Sequence, residues 1–324
     1  MKYELIALVG GKWINILLKS NGINWSSDKD TLGIQLSFAS LFDLVEGTHI
    51  QLKINSKVAF TGILVKKTKS KLTYSYTCFD YGWYLNKNET VIQFNKINSS
   101  DAIKQLCSKF GIKCNVVQID YVVKDTKTKS VKKVKITTII NKIYKDQTIS
   151  SIIDDILETA TLELGTKFIK EMIGDTLYIR KQAEYKIFPK FILSSDLQVN
   201  SSIEDMKNKV IVVSNEEKSN RVLASVSSPN NIKIYGGLQE VLTVEKKDES
   251  KAKNIANNFL KENNKVFRDT TLNIVVIEGG EEIKANRSIG LKIISMGLNG
   301  WYNIKGANCT LENGQMKCSL TLEW

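Results

Sequence analysis

Hydrolysis or group transfer needs a nucleophile with a base, two carboxylates across a cleft, or a metal held by clustered ligands. The 324-residue sequence contains one histidine, His49, so a triad has a single imidazole to draw on, and no GxSxG stretch accompanies it. His49 follows Glu46-Gly47 and opens a strand-like stretch, the place of a surface or barrel-rim histidine. Cys78, Cys107, Cys114, Cys309 and Cys318 form no CxxC pair, which argues against a zinc site. Asp154-Asp155 and Glu281-Glu282 are adjacent rather than facing, unlike the separated carboxylates of a glycosidase. Gly10-Gly11-Lys12 and Glu278-Gly279-Gly280-Glu281 lack the spacing of a phosphate-wrapping loop and read as turns. No catalytic, cofactor-binding or metal-binding residue is assigned, and the chain is expected not to be an enzyme. The one enzyme class kept open is a carboxylate-based peptidoglycan hydrolase. Trp13, Trp25, Tyr81, Trp83, Tyr84, Trp301 and Tyr302 would then stack sugars or bind a partner, but they read first as core and rim of small barrels.

The elements that hold these residues alternate in the manner of half-buried strands. Leu32, Ile34, Leu36 and Phe38 share one face, as do Ile50, Leu52 and Ile54, and again Leu72, Tyr74, Tyr76 and Cys78. Turn signals at Asn21-Gly22, Glu46-Gly47 and Asn55-Ser56 separate them, which predicts a small antiparallel barrel over residues 1–95. Near residue 96 the period changes. Asn98-Ser99-Ser100-Asp101 starts a helix carrying Ala102, Ile103, Leu106, Cys107 and Phe110 until Gly111, and Thr148 starts another carrying Ile149, Ile152, Ile153, Ile156, Leu157 and Ala160. Two short strands surround Gly174-Asp175, giving an α+β insert over 96–190. From 191 to 324 the strands return as a second barrel. Val210–Val213 is expected to be fully buried and Ile232–Tyr235 to be an exposed edge, with a helix at about 249–264 capped by Asp248 or Ser250. The fold class is therefore α+β, mainly β, with two small antiparallel β-barrel domains and an α+β domain between them.

Near the end, Asn313-Gly314 is a two-residue hairpin turn that pairs Glu312 with Gln315 and so Cys309 with Cys318. Two thiols on the buried face of a hairpin are the favoured reading, with a cross-strand disulfide as the alternative.

The formal net charge is +12. Lysines concentrate between Tyr121 and Asp146, which reads as a solvated hairpin guarding an edge, with a nucleic-acid or acidic-surface contact as the alternative. Arg180, Arg221, Arg268 and Arg287 are far apart in sequence, which makes nucleic acid an improbable partner. The N-terminal run Leu5–Val9 is short and without a cleavage site, so the chain is expected to be made in the cytoplasm without a signal peptide and to have no membrane partner.

Several segments together resemble the XkdQ/YqbQ-type family of prophage tail proteins. They are Val58-Ala59-Phe60-Thr61-Gly62-Ile63, then Cys78-Phe79-Asp80-Tyr81-Gly82-Trp83-Tyr84-Leu85-Asn86-Lys87-Asn88, Ser202–Val210, Ile234-Tyr235-Gly236-Gly237-Leu238-Gln239 and Gly300-Trp301-Tyr302-Asn303-Ile304, in the family's order. The resemblance implies the baseplate hub of a contractile phage tail or a phage-tail-like bacteriocin. Such a hub is a homotrimer whose two barrels per chain make a pseudo-sixfold ring between the sixfold tail tube and the threefold central spike. Its partners would be further copies of itself, the tube and spike proteins, and as further candidates the tape measure and baseplate wedge proteins. It would reside in the assembled tail particle of a bacterial virion or bacteriocin.

Overall fold

The computed structural model describes residues 1–116, 120–124, 131–135, 138–182, 185–215 and 221–324. The chain is α+β and mainly β, with curled sheets. Its first strands are β1 (Tyr3–Val9), β2 (Lys12–Asn15), β3 (Ser20–Asp28), β4 (Thr31–Ser40), β5 (His49–Ile54), β6 (Lys57–Lys69) and β7 (Tyr74–Asp80). They pair antiparallel in the order β3-β4-β7-β6-β5-β1-β2. Asn55 and Ser56 both adopt positive φ in the two-residue turn predicted there. Asn21-Gly22 is not a turn but a bulge within β3, where the register with β4 slips between Asn21 and Asn24. Leu72 lies in the turn before β7 rather than on its inner face.

The next elements are α1 (Gly82–Lys87), β8 (Glu89–Asn98), α2 (Ser99–Lys109), β9 (Lys113–Val116), β10 (Asp120–Lys124), β11 (Val131–Lys135), β12 (Ile139–Thr148), α3 (Ile149–Leu164), β13 (Phe168–Ile173) and β14 (Thr176–Lys181). Both longer helices start where predicted, because the Asn98 side chain accepts from the Asp101 N–H at 2.8 Å and Thr148 Oγ1 from the Ser151 N–H at 3.1 Å. Each cap is the last residue of a ten-residue strand that has a left-handed residue two positions before it, Lys96 and Asp146, and the two strands pair with each other. The insert thus contains two like strand-cap-helix units side by side. Their inward faces, with Leu32 and Leu85 from the preceding segment, make one core around Phe94, Ile103, Tyr144 and Ile152.

The last part comprises β15 (Lys186–Ile187), β16 (Lys190–Leu193), β17 (Val199–Ser202), β18 (Lys209–Ser214), β19 (Val222–Ser227), α4 (Pro229–Tyr235), β20 (Gln239–Val244), α5 (Ala252–Asn263), β21 (Phe267–Glu278), β22 (Ser288–Ile293), β23 (Leu298–Glu312) and β24 (Gln315–Glu323). Ile232–Tyr235, read as an edge strand, is helical. Pro229 stands in the first turn, where its missing N–H costs nothing, and the Ile232 N–H bonds the Ser228 carbonyl at 3.0 Å. Neither Asp248 nor Ser250 caps α5, because a 3₁₀ turn over Lys246–Lys251 runs into it and Asp248 pairs with Lys251 instead. Val210 and Val212 are buried, but Ile211 and Val213 are half-buried, since α5 covers one face of the β19-β18-β20 sheet.

β23 pairs with β3 from Gly306↔Asp28 to Leu311↔Ile23, so strands from both ends of the chain form one fourteen-stranded sheet. Their buried residues, among them Leu36, Leu52, Leu64, Leu272, Ile304 and Leu320, belong to one hydrophobic cluster. At its far end the sheet returns on itself. Residues 186–193 pair with β22 through β15 and with β21 through β16, closing the circuit β21-β24-β23-β22.

Candidate functional site

The residues with chemical potential are scattered and already engaged. His49 Nδ1 lies 2.6 Å from the Tyr81 hydroxyl at the start of β5. Asp154 pairs with Lys170, whereas Asp155 takes Lys142 at 2.8 Å and the Tyr144 hydroxyl at 2.5 Å. Burial, then the Asp155 carboxylate, raises the Tyr144 phenol far above its ordinary value, so it stays a hydrogen-bond donor. Glu281 pairs with Lys57 at 2.8 Å. The aromatic residues are distributed over several elements. Trp25 is buried, Trp13 is exposed on β2, Trp83 meets Tyr84 edge-on, Trp301 meets Phe188, and Tyr302 meets Trp324 at 4.9 Å. The side chains of the lysine-rich stretch before residue 138 lie outside the described residues. Among the described residues no group of three or more His, Cys, Asp or Glu is placed to hold a metal ion, and no helix is long and apolar enough to cross a membrane.

Where the three parts meet, however, the structure gathers a charge cluster that the sequence reading did not identify as such. Asp80, at the end of β7, is 5% exposed and accepts from the Ile34 N–H at 2.8 Å and the Gly82 N–H at 2.9 Å. A Cβ on Gly33 or Gly82 would come within 2.7 or 2.9 Å of Asp80 Oδ1, so the absence of side chains there lets the carboxyl seat. Burial pushes its pKa up to about 7, against the opposing pull of those N–H bonds and Lys284. Beside it, Glu171 on β13 pairs with Lys284 and, at 2.6 Å, with the buried Arg287. Burial opposes ionisation of Glu171, but the two cations outweigh it and hold the carboxyl below its usual range. Arg287 stacks on Tyr185 at 4.2 Å. The alternation carried a signal: Asp80 has the parity of the buried Tyr76 and Cys78, which is where a carboxylate needs partners. Glu171 and Lys284 carried none, since their pairing spans distant sequence.

The remaining features are edges and a staple. Among the described residues β2 has a ladder partner on one side only. Gly10 and Gly11 both have positive φ, and Val9↔Lys12 is the innermost pair of the β1–β2 hairpin. Trp13 and Asn15 therefore turn their backbone groups outward, away from β1. At the opposite end of the chain Asn313 and Gly314 form the predicted turn, and Cys309 faces Cys318 with a Cα–Cα distance of 4.1 Å. The two are joined in a disulfide rather than left as thiols, because this non-hydrogen-bonded register brings the Cβ atoms of opposite residues closest. Cys78, Cys107 and Cys114 are free.

A curled, continuous β scaffold with charged buried joints and open edges, lacking an evident catalytic constellation among the described residues, is the class that fold and surfaces define. The same fold occurs in a tail protein from Neisseria meningitidis MC58, with a TM-score of 0.72 and 12% identity over 100% of this chain and 97% of that one. It occurs also in an Escherichia coli type VI secretion component said to resemble the bacteriophage T4 tail proteins gp27 and gp5, with a TM-score of 0.54 and 8% identity over 99% of this chain and 76% of that one. In sequence the chain is similar to the uncharacterized protein YqbQ of Bacillus subtilis strain 168, 24% identical over 273 residues, covering 82% of this chain and 74% of that protein. The family profile described as YQBQ-like matches residues 23–323, and the chain belongs to that family.

Proposed function

We propose that this chain is a structural baseplate hub of a phage-type tail, a homotrimer whose ring joins the sixfold tail tube to the threefold central spike. The observation that carries the reading is the β3–β23 ladder, which fuses the two β regions into one continuous body. Three such bodies present six β regions to a ring, and closure of a ring satisfies exposed edges without runaway fibres. The tail proteins that share the fold support the particle role. In this reading residues 1–95 and 191–324 are the two ring-forming β domains and residues 96–190 the insert. The tail tube and spike proteins are its axial partners, the tape measure and wedge proteins its further neighbours, and the assembled tail particle its place. The chain performs no chemistry of its own.

Light scattering tests this directly. A mass of about three chains is expected, alone or on mixing with the tube and spike proteins of the same particle; a chain that stays monomeric and ignores both defeats the reading. Incubation with purified peptidoglycan is expected to release no muropeptides.

A further inference from the structure

The first β region has two rims that differ in what covers them. At one, the ends of β3, β4 and β7 meet the α+β insert through Leu32, Asp80 and Met172. At the other, β3 and β7 begin and β4 and β6 end side by side, in the register Ser20↔Ser40↔Tyr74↔Lys69. Leu18 is fully exposed there, Leu72 80%, Val45 66% and Leu41 60%. These side chains stand on a fixed frame. The Leu41 N–H bonds the Lys19 carbonyl at 2.9 Å, the Ser20 and Ser40 hydroxyls meet at 3.0 Å, and the Tyr76 hydroxyl donates to the Phe42 carbonyl at 2.6 Å while accepting from the Leu44 N–H at 2.9 Å. Little ordering entropy is lost when a partner covers residues already so held.

The charge on this rim selects the partner. Residues 17–20, 40–46 and 66–74 carry Lys19, Lys66, Lys67, Lys69 and Lys71 against Asp43 and Glu46, with no arginine. Lys67 is tied to Asp43, and Lys19 sits over the Phe42 ring at 4.9 Å. We propose that this rim is the docking face for an acidic protein surface bearing apolar sockets, supplied by an axial neighbour of the particle. A second copy meeting it rim to rim would set lysines against lysines on a chain of net charge +12. A nucleic acid backbone would leave the exposed leucines against polar groups and find no guanidinium fork. The proposal rests on the hub reading and specifies which face of the hub meets its neighbour.

The test uses the full chain with the purified tube and spike proteins of the same particle, by biolayer interferometry, comparing wild type with Leu18→Ser/Leu72→Ser and Lys69→Glu/Lys71→Glu. Ile234→Ser, on exposed α4, is the control, and circular dichroism verifies folding. Each rim variant is expected to weaken binding to one of the two proteins by about ten-fold or more, with trimer mass unchanged. Wild-type binding should weaken between about 0.05 and 0.3 M salt, and binding by the lysine variant less so. If wild type and rim variants bind equally, the rim assignment fails and the hub reading stands. If wild type binds neither protein the rim assignment fails, and if it also stays monomeric the hub reading fails with it. Vesicles of equal phosphatidylglycerol and phosphatidylcholine form a further arm: rim variants that lose vesicle binding while keeping protein binding would overturn the proposal in favour of a membrane contact.

Discussion

Residues 3–80 and residues 186–323 contribute strands to the same sheet, yet among the described residues the first set stops at β2 with its outer edge unpaired, whereas the second returns on itself and carries a disulfide. The first set is tied at its covered rim by its own buried carboxyl, Asp80, which receives the N–H groups of Ile34 and Gly82; the second is fastened by its own closing strand. The difference matters for assembly. A circuit closed by its own strands offers fewer backbone groups along that side, while an open edge keeps them for another chain. The insert and the second region share the ion pairs of Glu171 with Lys284 and Arg287, so charged contacts stand beside the apolar ones of Leu32 and Met172 where the three parts meet.

The largest effect is expected where that carboxyl is removed. Asp80→Ala leaves the Ile34 and Gly82 N–H groups buried without acceptors, at a cost of about 3–5 kcal/mol in urea unfolding. Wild type should also show a pH signature. Because the folded pKa of Asp80 is raised to about 7, the folded state holds a proton that the unfolded state releases near pH 4. Stability therefore falls as pH rises through that interval, by up to about 4 kcal/mol, and levels off above it. Glu171, held low, acts oppositely: its contribution is present above its ordinary value and is lost as pH falls toward its folded value. Urea midpoints at pH 5 and pH 8 should differ in wild type and converge in Asp80→Ala. Equal midpoints in wild type would show the carboxyl to be solvated and the comparison to be wrong at its covered rim.

A smaller loss is expected from the disulfide. Cys309→Ala/Cys318→Ala opens a loop with a sequence separation of 9 and should lower stability by about 2–3 kcal/mol, most of it reproduced by treating wild type with a thiol reductant. Because β23 and β24 are held by backbone pairing as well, the variant should still fold, as near-native circular dichroism would verify. Unfolding of the variant would mean that the β23–β24 hairpin depends on the disulfide rather than on its own ladder.

How much of this contrast was readable beforehand follows from the range of each interaction. Local signals were legible: the Asn98 and Thr148 caps, the Asn55-Ser56 and Asn313-Gly314 turns, the alternation of β4 and β5, and the opposition of Cys309 and Cys318 are each decided within about ten residues. The Ile232–Tyr235 segment misled because two isoleucines two apart satisfy a strand period, while Pro229 and Gly236, which bracket one short helix, carried the deciding information. Nothing in the sequence near β3 or β23 specifies that they pair, since that ladder joins positions almost three hundred residues apart. The same distance hid the junction: Asp80 showed by parity that it faced inward, but Glu171, Lys284 and Arg287 become partners only in three dimensions.

The smallest effect on stability should carry the largest effect on assembly. Trp13 lies opposite Leu8 in a non-hydrogen-bonded pair, so its N–H points to the open side of β2 and makes no bond within the hairpin. Trp13→Pro therefore removes no ladder bond and should cost less than about 1 kcal/mol. If the open edge of the first region accepts backbone pairing from a neighbouring chain, this substitution breaks that pairing, and the trimer mass seen by light scattering should fall toward that of a single chain. Trp13→Thr, which removes the ring but keeps the N–H, separates edge pairing from side-chain packing: assembly retained by threonine and lost by proline assigns the contact to the backbone. Assembly retained by both would show that β2 remains open in the ring and that the contact lies elsewhere.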